Sequence, residues 1–222
     1  VRSEYSGEGL SEDDLAPTPL QQVRRWVAEA HARHAERGDV VEPTALSVAT
    51  VDADGNANVR TVLMRFLDER GPGFVTDLGS AKSREITATG SVAASLTWPA
   101  MFRAVRFRGR AVPVGRDEIV AYFATRPWGS RISAWASDQS QPIADRATLV
   151  ATYERYAALY PDTGSAGDVP VPDGWGGWRI ECDEVELWAG RRDRLHDRLV
   201  YTRAADGGLD TAEAWTVYRR QP

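Results

Sequence analysis

The sequence predicts an α+β fold, an antiparallel β-barrel with helices packed outside it. Three observations carry this. Strand-like segments lie towards both ends of the chain. A mainly helical insert of about 116–160 sits between them. The strict strand–helix alternation of a doubly wound parallel sheet is absent.

Each element has its own signal. Residues 1–17 are polar and read as an arm, and 18–222 as a single domain. A helix starts at Pro19 behind Thr18 as N-cap. Leu20, Val23, Trp26, Val27 and Ala30 then recur at helical spacing until Gly38. Ala45–Val51 is β-rich, Asp52–Asn56 is a turn, and Val59–Phe66 returns as its hairpin partner. A short strand at Phe74–Thr76, a helix at Ser80–Thr89 and strands at Val92–Trp98 and Phe102–Val114 follow. The helical insert is broken near Pro127 and Pro142 and ends in a Gly/Pro/Asp-rich loop, 162–174. Gly177–Cys182, Val185–Trp188, Leu199–Arg203 and Ala214–Tyr218 read as the closing strands.

Composition narrows the function classes. The 222 residues suffice for a sizeable core, and 42% hydrophobic with 27% charged residues is ordinary for a globular protein. No apolar run approaches the ~20 residues of a membrane span. With no secretory pattern at the start and the single Cys182, the expectation is a cytoplasmic protein without disulfides. One cysteine and the scattered His31, His34 and His196 argue against a zinc site, so no metal is expected. Neither a phosphate-binding Gly-x-x-x-x-Gly-Lys nor a dinucleotide Gly-x-Gly-x-x-Gly occurs. A net charge of -5 without a basic stripe argues against nucleic acid.

On this acidic background Trp188–Arg198 stands out, with four arginines and His196 in eleven residues. Arginine forks bind phosphate or carboxylate through paired, charge-assisted hydrogen bonds. Taken alone, the cluster reads more simply as a solvated turn pairing with Asp193, Asp197 and Glu186. Three other segments offer matching chemistry. Arg60 and Arg65 bracket a strand. Gly79-Ser80-Ala81-Lys82 opens a helix whose free N–H groups suit an anion. Tyr122, Arg126 and Ser130 lie four apart and would share one face if helical geometry carried across Pro127.

In combination and order these segments resemble the pyridoxamine 5'-phosphate oxidase family along nearly the whole chain. The resemblance rests on Arg2-Ser3-Glu4-Tyr5, Arg60-Thr61-Val62-Leu63-Met64, Tyr122-Phe123 with Arg126-Pro127, and Trp135 with Gln139-Ser140. Trp175-Gly176-Gly177 and Arg194-Leu195-His196-Asp197-Arg198 complete it. It implies an FMN-binding split β-barrel working as a homodimer, with FMN at the subunit interface and O2 as the oxidant. The cofactor contacts it implies are Arg60, Thr61, Val62, Leu63, Val75, Thr76, Lys82, Gln139, Ser140, Trp188 and Arg198. It assigns substrate binding to Arg2, Tyr5, Arg65, Tyr122, Arg126, Ser130, Arg194 and His196. Arg194 and His196 hold the reacting end and are the catalytic candidates, while Arg2 and Tyr5 belong to a closing arm.

Four positions depart from the family pattern. Arg65 stands for a lysine, Ala81 for an arginine, and Ala104 and Ala189 for glutamines. Arg65 and Ala189 lean towards the alternative, a related FMN oxidase of specialised metabolism acting on a reduced aromatic such as a dihydrophenazine, whereas Tyr122, Arg126 and Ser130, with Arg2 and Tyr5, lean towards the vitamin B6 substrate, oxidised to pyridoxal 5'-phosphate. A flavin or phosphoryl-ligand binder without turnover would need the phosphate contacts but not the pair Arg194 and His196.

Overall fold

The computed structural model describes residues 4, 5 and 7–222. Among the described residues nine strands form one antiparallel sheet: β1 (Ala45–Val51), β2 (Ala57–Leu63), β3 (Phe66–Asp68), β4 (Gly71–Asp77), β5 (Ser91–Trp98), β6 (Arg103–Pro113), β7 (Trp175–Ala189), β8 (Asp197–Arg203) and β9 (Trp215–Arg219). Five α-helices accompany them: α1 (Pro19–Arg37), α2 (Ala81–Thr89), α3 (Arg116–Ala124), α4 (Trp128–Ala136) and α5 (Arg146–Leu159). The α+β class and its antiparallel, barrel-like sheet match the sequence-based expectation.

The sheet runs β2-β1-β5-β6-β7-β4-β3, and β7 also carries β8 and then β9. β4 pairs with Trp175–Arg179 of β7, whereas β8 pairs with Glu184–Ala189. Two strands thus use one edge of β7 in succession while β6 holds the other edge throughout, and the sheet forks there. A β-bulge between Arg108 and Gly109 bends the β6–β7 pair, leaving Asp183 as the extra residue. Gly109 is required at this bend, because a Cβ there would collide with the Glu181 carbonyl.

The bulge explains one difference from the sequence reading. Alternation resets at Asp183, so one continuous β7 reads as two strands. Likewise the expected Val59–Phe66 strand is two elements, β2 and β3, with Met64 and Arg65 between them.

α1 obeys its signals. The Thr18 side chain accepts from the Gln21 amide, and Gly38 closes the helix at φ 69°. Its buried stripe, Val23, Trp26 and Ala30, packs on the barrel interior with Leu46, Val48, Leu96, Val105, Phe107 and Leu187. Each large side chain so buried contributes about 1.5–3 kcal/mol. Leu10, in the segment expected as an arm, is buried in the same core. A second core joins Ile119 and Phe123 of α3, Ile132 of α4 and Trp175 of β7. Among the described residues no helix is long and apolar enough to cross a membrane, and no group of three or more acidic, His or Cys residues could hold a metal ion.

Candidate active site

A cavity of about 570 Å³ opens beside the start of β7. Arg60, Thr61, Val62, Leu63 and Arg65 line it from β2 and the residues after it. Val75 and Thr76 come from β4, Lys82 from α2, Tyr122 and Arg126 from the end of α3, and Gln139 and Ser140 from the turn after α4. Twelve residues picked from sequence thus share one wall.

Two cations in this cavity, one buried and one half-buried, have no carboxylate partner. Lys82 is 8% exposed. Its Nζ donates to Thr76 Oγ1 at 3.1 Å, to Ser80 Oγ at 3.4 Å and to Gln139 Oε1, all neutral acceptors. Burial, then the nearby charge of Arg60, lowers its pKa. Arg126 lies 4.8 Å over the Trp175 ring and 5.6 Å over Phe123, and its Nη1 is buried with no hydrogen-bond partner. Burial, then the charge of Arg65, lowers its pKa as well. Buried cations left unpaired are costly, so such a pair is poised for an anionic ligand.

Of the other two lining arginines, Arg60 is engaged. Arg60 Nη2 donates to Glu85 Oε2 at 2.8 Å, and its Nη1 to the Val48 carbonyl at 3.2 Å. Ser130 is not among the lining residues. α3 ends at Ala124 and Pro127 caps α4, so the four-residue spacing does not carry a common face past the break.

The rest of the predicted set lies at the other end of β7. A second cavity, about 730 Å³, is lined by Tyr5, Phe102, Trp188, Asp193 and Arg194, among others. The His196 ring sits 4.8 Å from Trp188 and 5.1 Å from Tyr5, centroid to centroid. His196 Nδ1 accepts the Arg191 amide at 3.1 Å, which leaves the proton of the neutral ring on Nε2. Arg198 is spent elsewhere. Its Nε and Nη2 donate to the buried Glu186 carboxylate at 2.9 and 2.8 Å, and its Nη1 to the Gln221 carbonyl. Arg2 lies outside the described residues.

Backbone strain marks both cavities. The described non-glycine residues with positive φ are Phe102 (52°), Ser140 (73°), Asp193 (56°) and Arg194 (64°). All four line one cavity or the other. Left-handed backbone costs on the order of 1 kcal/mol per residue, and such strain gathers at functional sites.

Sequence reasoning missed Trp175 as the floor under Arg126, Phe102 beside Tyr5, and Glu85 as the partner of Arg60. The sequence shows Glu85 as a carboxylate three residues beyond Lys82 on the same helix, but nothing in it pairs that carboxylate with Arg60. Phe102 and Trp175 carried no such signal, because their roles come from strand pairing across the sheet.

Family models settle what these features belong to. The model described as "Pyridoxamine 5'-phosphate oxidase" matches residues 33–160. That described as "Pyridoxine 5'-phosphate oxidase C-terminal dimerisation region" matches residues 175–222. The chain belongs to the pyridoxamine 5'-phosphate oxidase family. It is therefore an FMN-dependent oxidoreductase by family. Relatives named pyridoxine/pyridoxamine 5'-phosphate oxidase include one from Streptomyces avermitilis, 46% identical over 100% of this chain and 95% of the relative. Another, from Kineococcus radiotolerans, is 47% identical over 100% of this chain and 97% of the relative. Among solved structures, PhzG from Burkholderia lata 383, in complex with tetrahydrophenazine-1-carboxylic acid, aligns with a TM-score of 0.83 at 31% identity. That alignment covers 98% of this chain and all of PhzG. An FMN-binding protein from Nostoc punctiforme, related to pyridoxamine 5'-phosphate oxidase, shares the fold at a TM-score of 0.68 and 18% identity.

Proposed function

We propose that the protein oxidises pyridoxamine or pyridoxine 5'-phosphate to pyridoxal 5'-phosphate, as a homodimer with FMN at the subunit interface. The observation that carries this reading is the cavity holding the buried Lys82 and the half-buried Arg126, whose Nη1 is buried without a partner, neither with a carboxylate. Two separated cations suit two phosphates, one on the cofactor and one on the substrate. Lys82, with the free amides at the start of α2 and the hydroxyl of Thr76, fits the FMN phosphate. Ala81 supplies no guanidinium there, so fewer forks hold that phosphate. Arg126, Arg65 and the Tyr122 hydroxyl fit the substrate phosphate.

The split of the site supports the dimer. Gly176, paired with Thr76, lies at one end of β7, and Trp188 at the other. Twelve residues of strand at about 3.3 Å each separate them along the strand. One small ligand does not bridge that span within a chain, whereas the second half of a neighbouring copy completes the first. On this reading His196 and Arg194 come from the partner copy, with Tyr5, over a substrate held by Arg126. His196 and Arg194 orient the carbon that bears the amine or alcohol, and the aromatic wall of Trp188 and Tyr5 excludes water.

FMN, when bound, supplies a two-electron acceptor that O2 reoxidises. The net change oxidises an alcohol or amine carbon to an aldehyde while O2 becomes H2O2. For the amine, water provides the aldehyde oxygen and ammonia leaves.

A second reading has its own support. PhzG is a full-length structural relative crystallised with a reduced tricyclic acid. In this chain Ala104, paired with Trp188 across β6 and β7, and Ala189 beside Trp188 stand where the family pattern has glutamines. Oxidation of a reduced aromatic at the same cofactor is that alternative.

The test is spectroscopic. Under anaerobic conditions pyridoxamine or pyridoxine 5'-phosphate bleaches the flavin absorbance of the FMN-loaded protein. Flavin untouched by both but bleached by a dihydro-aromatic acid transfers the assignment to the alternative. Flavin bound but reduced by none of them leaves a binding protein, and absence of flavin binding at any FMN concentration overturns both oxidase readings.

A further inference from the structure

Asp197 lies inside the most basic segment of the chain, yet neither the proposed chemistry nor the cofactor contacts use it. It opens β8, is 8% exposed, and its carboxylate meets three donors from three different segments of the chain. Oδ2 accepts the Leu10 amide at 2.9 Å and Arg191 Nε, and Oδ1 accepts Arg219 Nη1 at 2.6 Å. Burial alone would raise its pKa, but Arg191, the Leu10 amide and Arg219 together hold it below the usual carboxylate range.

Those three donors tie together three segments beside the second cavity, of which Arg191 lines it. Leu10 follows the arm that carries Tyr5. Arg191 starts the loop that carries Arg194 and His196, and its own amide is the donor to His196 Nδ1. Arg219 ends β9 and also grips the arm, through Glu12 at 2.8 and 2.9 Å and the Leu10 carbonyl at 3.3 Å. The arm crosses directly over this junction. Gly9 has φ 82°, and a Cβ there would strike the Arg191 guanidinium. Arg191 is therefore clamped on one side by Asp197 and covered on another by the arm, while its backbone orients the imidazole.

We propose that Asp197 is a positioning residue: through Arg191 it fixes the orientation and tautomer of His196, and through Leu10 it holds the Tyr5 arm against the same ring. The carboxylate thus couples arm closure to imidazole alignment. The proposal rests on the placement of His196 at the reacting end. The latch itself is a property of the chain that needs no substrate to observe.

The experiment uses FMN-loaded protein with ¹⁵N-labelled histidine side chains. His196 is assigned by the signal lost in His196→Ala, the other two histidines being His31 and His34. In the wild type the His196 signals show the Nε2–H tautomer, and Glu8 resists a glutamate-specific protease. Asp197→Asn and Arg191→Gln are the variants. Arg191→Gln keeps the backbone amide, removes the guanidinium, and alters a side chain that is 45% exposed, so it leaves the core intact. In both we expect mixed tautomers and cleavage after Glu8 at least about tenfold faster. Flavin reduction by pyridoxamine 5'-phosphate should slow about 10- to 100-fold, with FMN affinity within about twofold of wild type. Arg191→Gln with wild-type histidine signals and wild-type protection at Glu8 overturns the proposal, whether or not Asp197→Asn folds. Wild-type protein whose flavin is not reduced by the vitamin substrates, but whose variants still show the tautomer and protease changes, overturns the substrate reading and leaves the latch standing.

Discussion

Lys82 is charged, mostly buried, and served only by neutral oxygens. In the free protein that arrangement costs stability, and a bound phosphate repays it. Lys82→Met should leave the thermal midpoint of the FMN-free protein unchanged or higher, since it removes a desolvated charge. The same change should weaken FMN binding by about 10- to 100-fold, the worth of a charge-assisted bond at roughly 1.5–3 kcal/mol. A fluorescence titration and a melt on the same sample check both signs. The pH dependence follows from the lowered pKa. In the unfolded chain Lys82 keeps its proton up to its ordinary value of 10.5, but in the folded chain it loses it earlier. Between the folded and unfolded values the unfolded state binds more protons, so stability of the FMN-free protein rises with pH in that window. FMN affinity moves the other way and falls as Lys82 loses its proton. The flavin phosphate, already a dianion there, adds no titration of its own. FMN binding measured across the alkaline range should therefore decline in wild type and stay flat in Lys82→Met. His196 gives a different signature. His196→Ala should slow flavin reduction by about 100-fold while FMN affinity shifts by less than about threefold. Comparable losses in both would make the imidazole structural. Residue identities for both cavities were largely legible in the sequence, because arginine, lysine and histidine on an acidic chain are conspicuous. Their engagement was legible only in part. The sequence offers Glu186 to the basic cluster and Arg198 takes it, whereas Arg60 pairs with Glu85 through a strand-to-helix contact that only the fold creates.

Local rules set most elements. The α1 boundaries followed from Thr18, Pro19 and Gly38, and β1 from the β-favouring Val48, Thr50 and Val51 ahead of the Asp52–Asn56 turn. What local rules did not show is that β7 runs unbroken through Asp183. A bulge shifts the alternation by one residue, and the sequence looks the same whether a strand ends there or bends. The bend matters to function, since it lets β4 and β8 share one edge of β7 and so puts the two cavities at its two ends. Gly109 is the residue that permits the bend. Gly109→Ala pushes a Cβ into the Glu181 carbonyl, with neighbouring backbone on both sides leaving no flexible group to yield. Urea unfolding should show a loss of about 2–4 kcal/mol, within the range for strain at a special backbone position. A loss under ~0.5 kcal/mol, typical of surface changes, would mean the β6–β7 pair can straighten without cost. Helices α3 and α4 make the same point about breaks. Pro127 ends one periodicity and starts another, so Tyr122 and Arg126 line the first cavity while Ser130 is not among its lining residues.

At the scale of the whole molecule, the two cavities are either two sites on one chain or two halves of a site shared between copies. The family match to a C-terminal dimerisation region covers β7, β8 and β9, the segment that carries Trp188 and His196. Subunit mixing separates the possibilities. Arg126→Met disables the half built from β2, β4, α2 and α3, and His196→Ala disables the half at the far end of β7. Each homodimer carries the same defect in both sites and should oxidise substrate poorly at concentrations below KM. In a shared-site dimer a mixed pair gathers both defects into one site and leaves the other intact. Equal mixing with full exchange gives half mixed dimers, so activity should recover to about a quarter of wild type. If each chain carried a complete site, every site in every dimer would keep one defect and mixing would restore nothing. The recovered fraction therefore reads the architecture directly, and it does so without depending on which reduced substrate the flavin accepts, provided both variants are assayed with the one that bleaches the wild type.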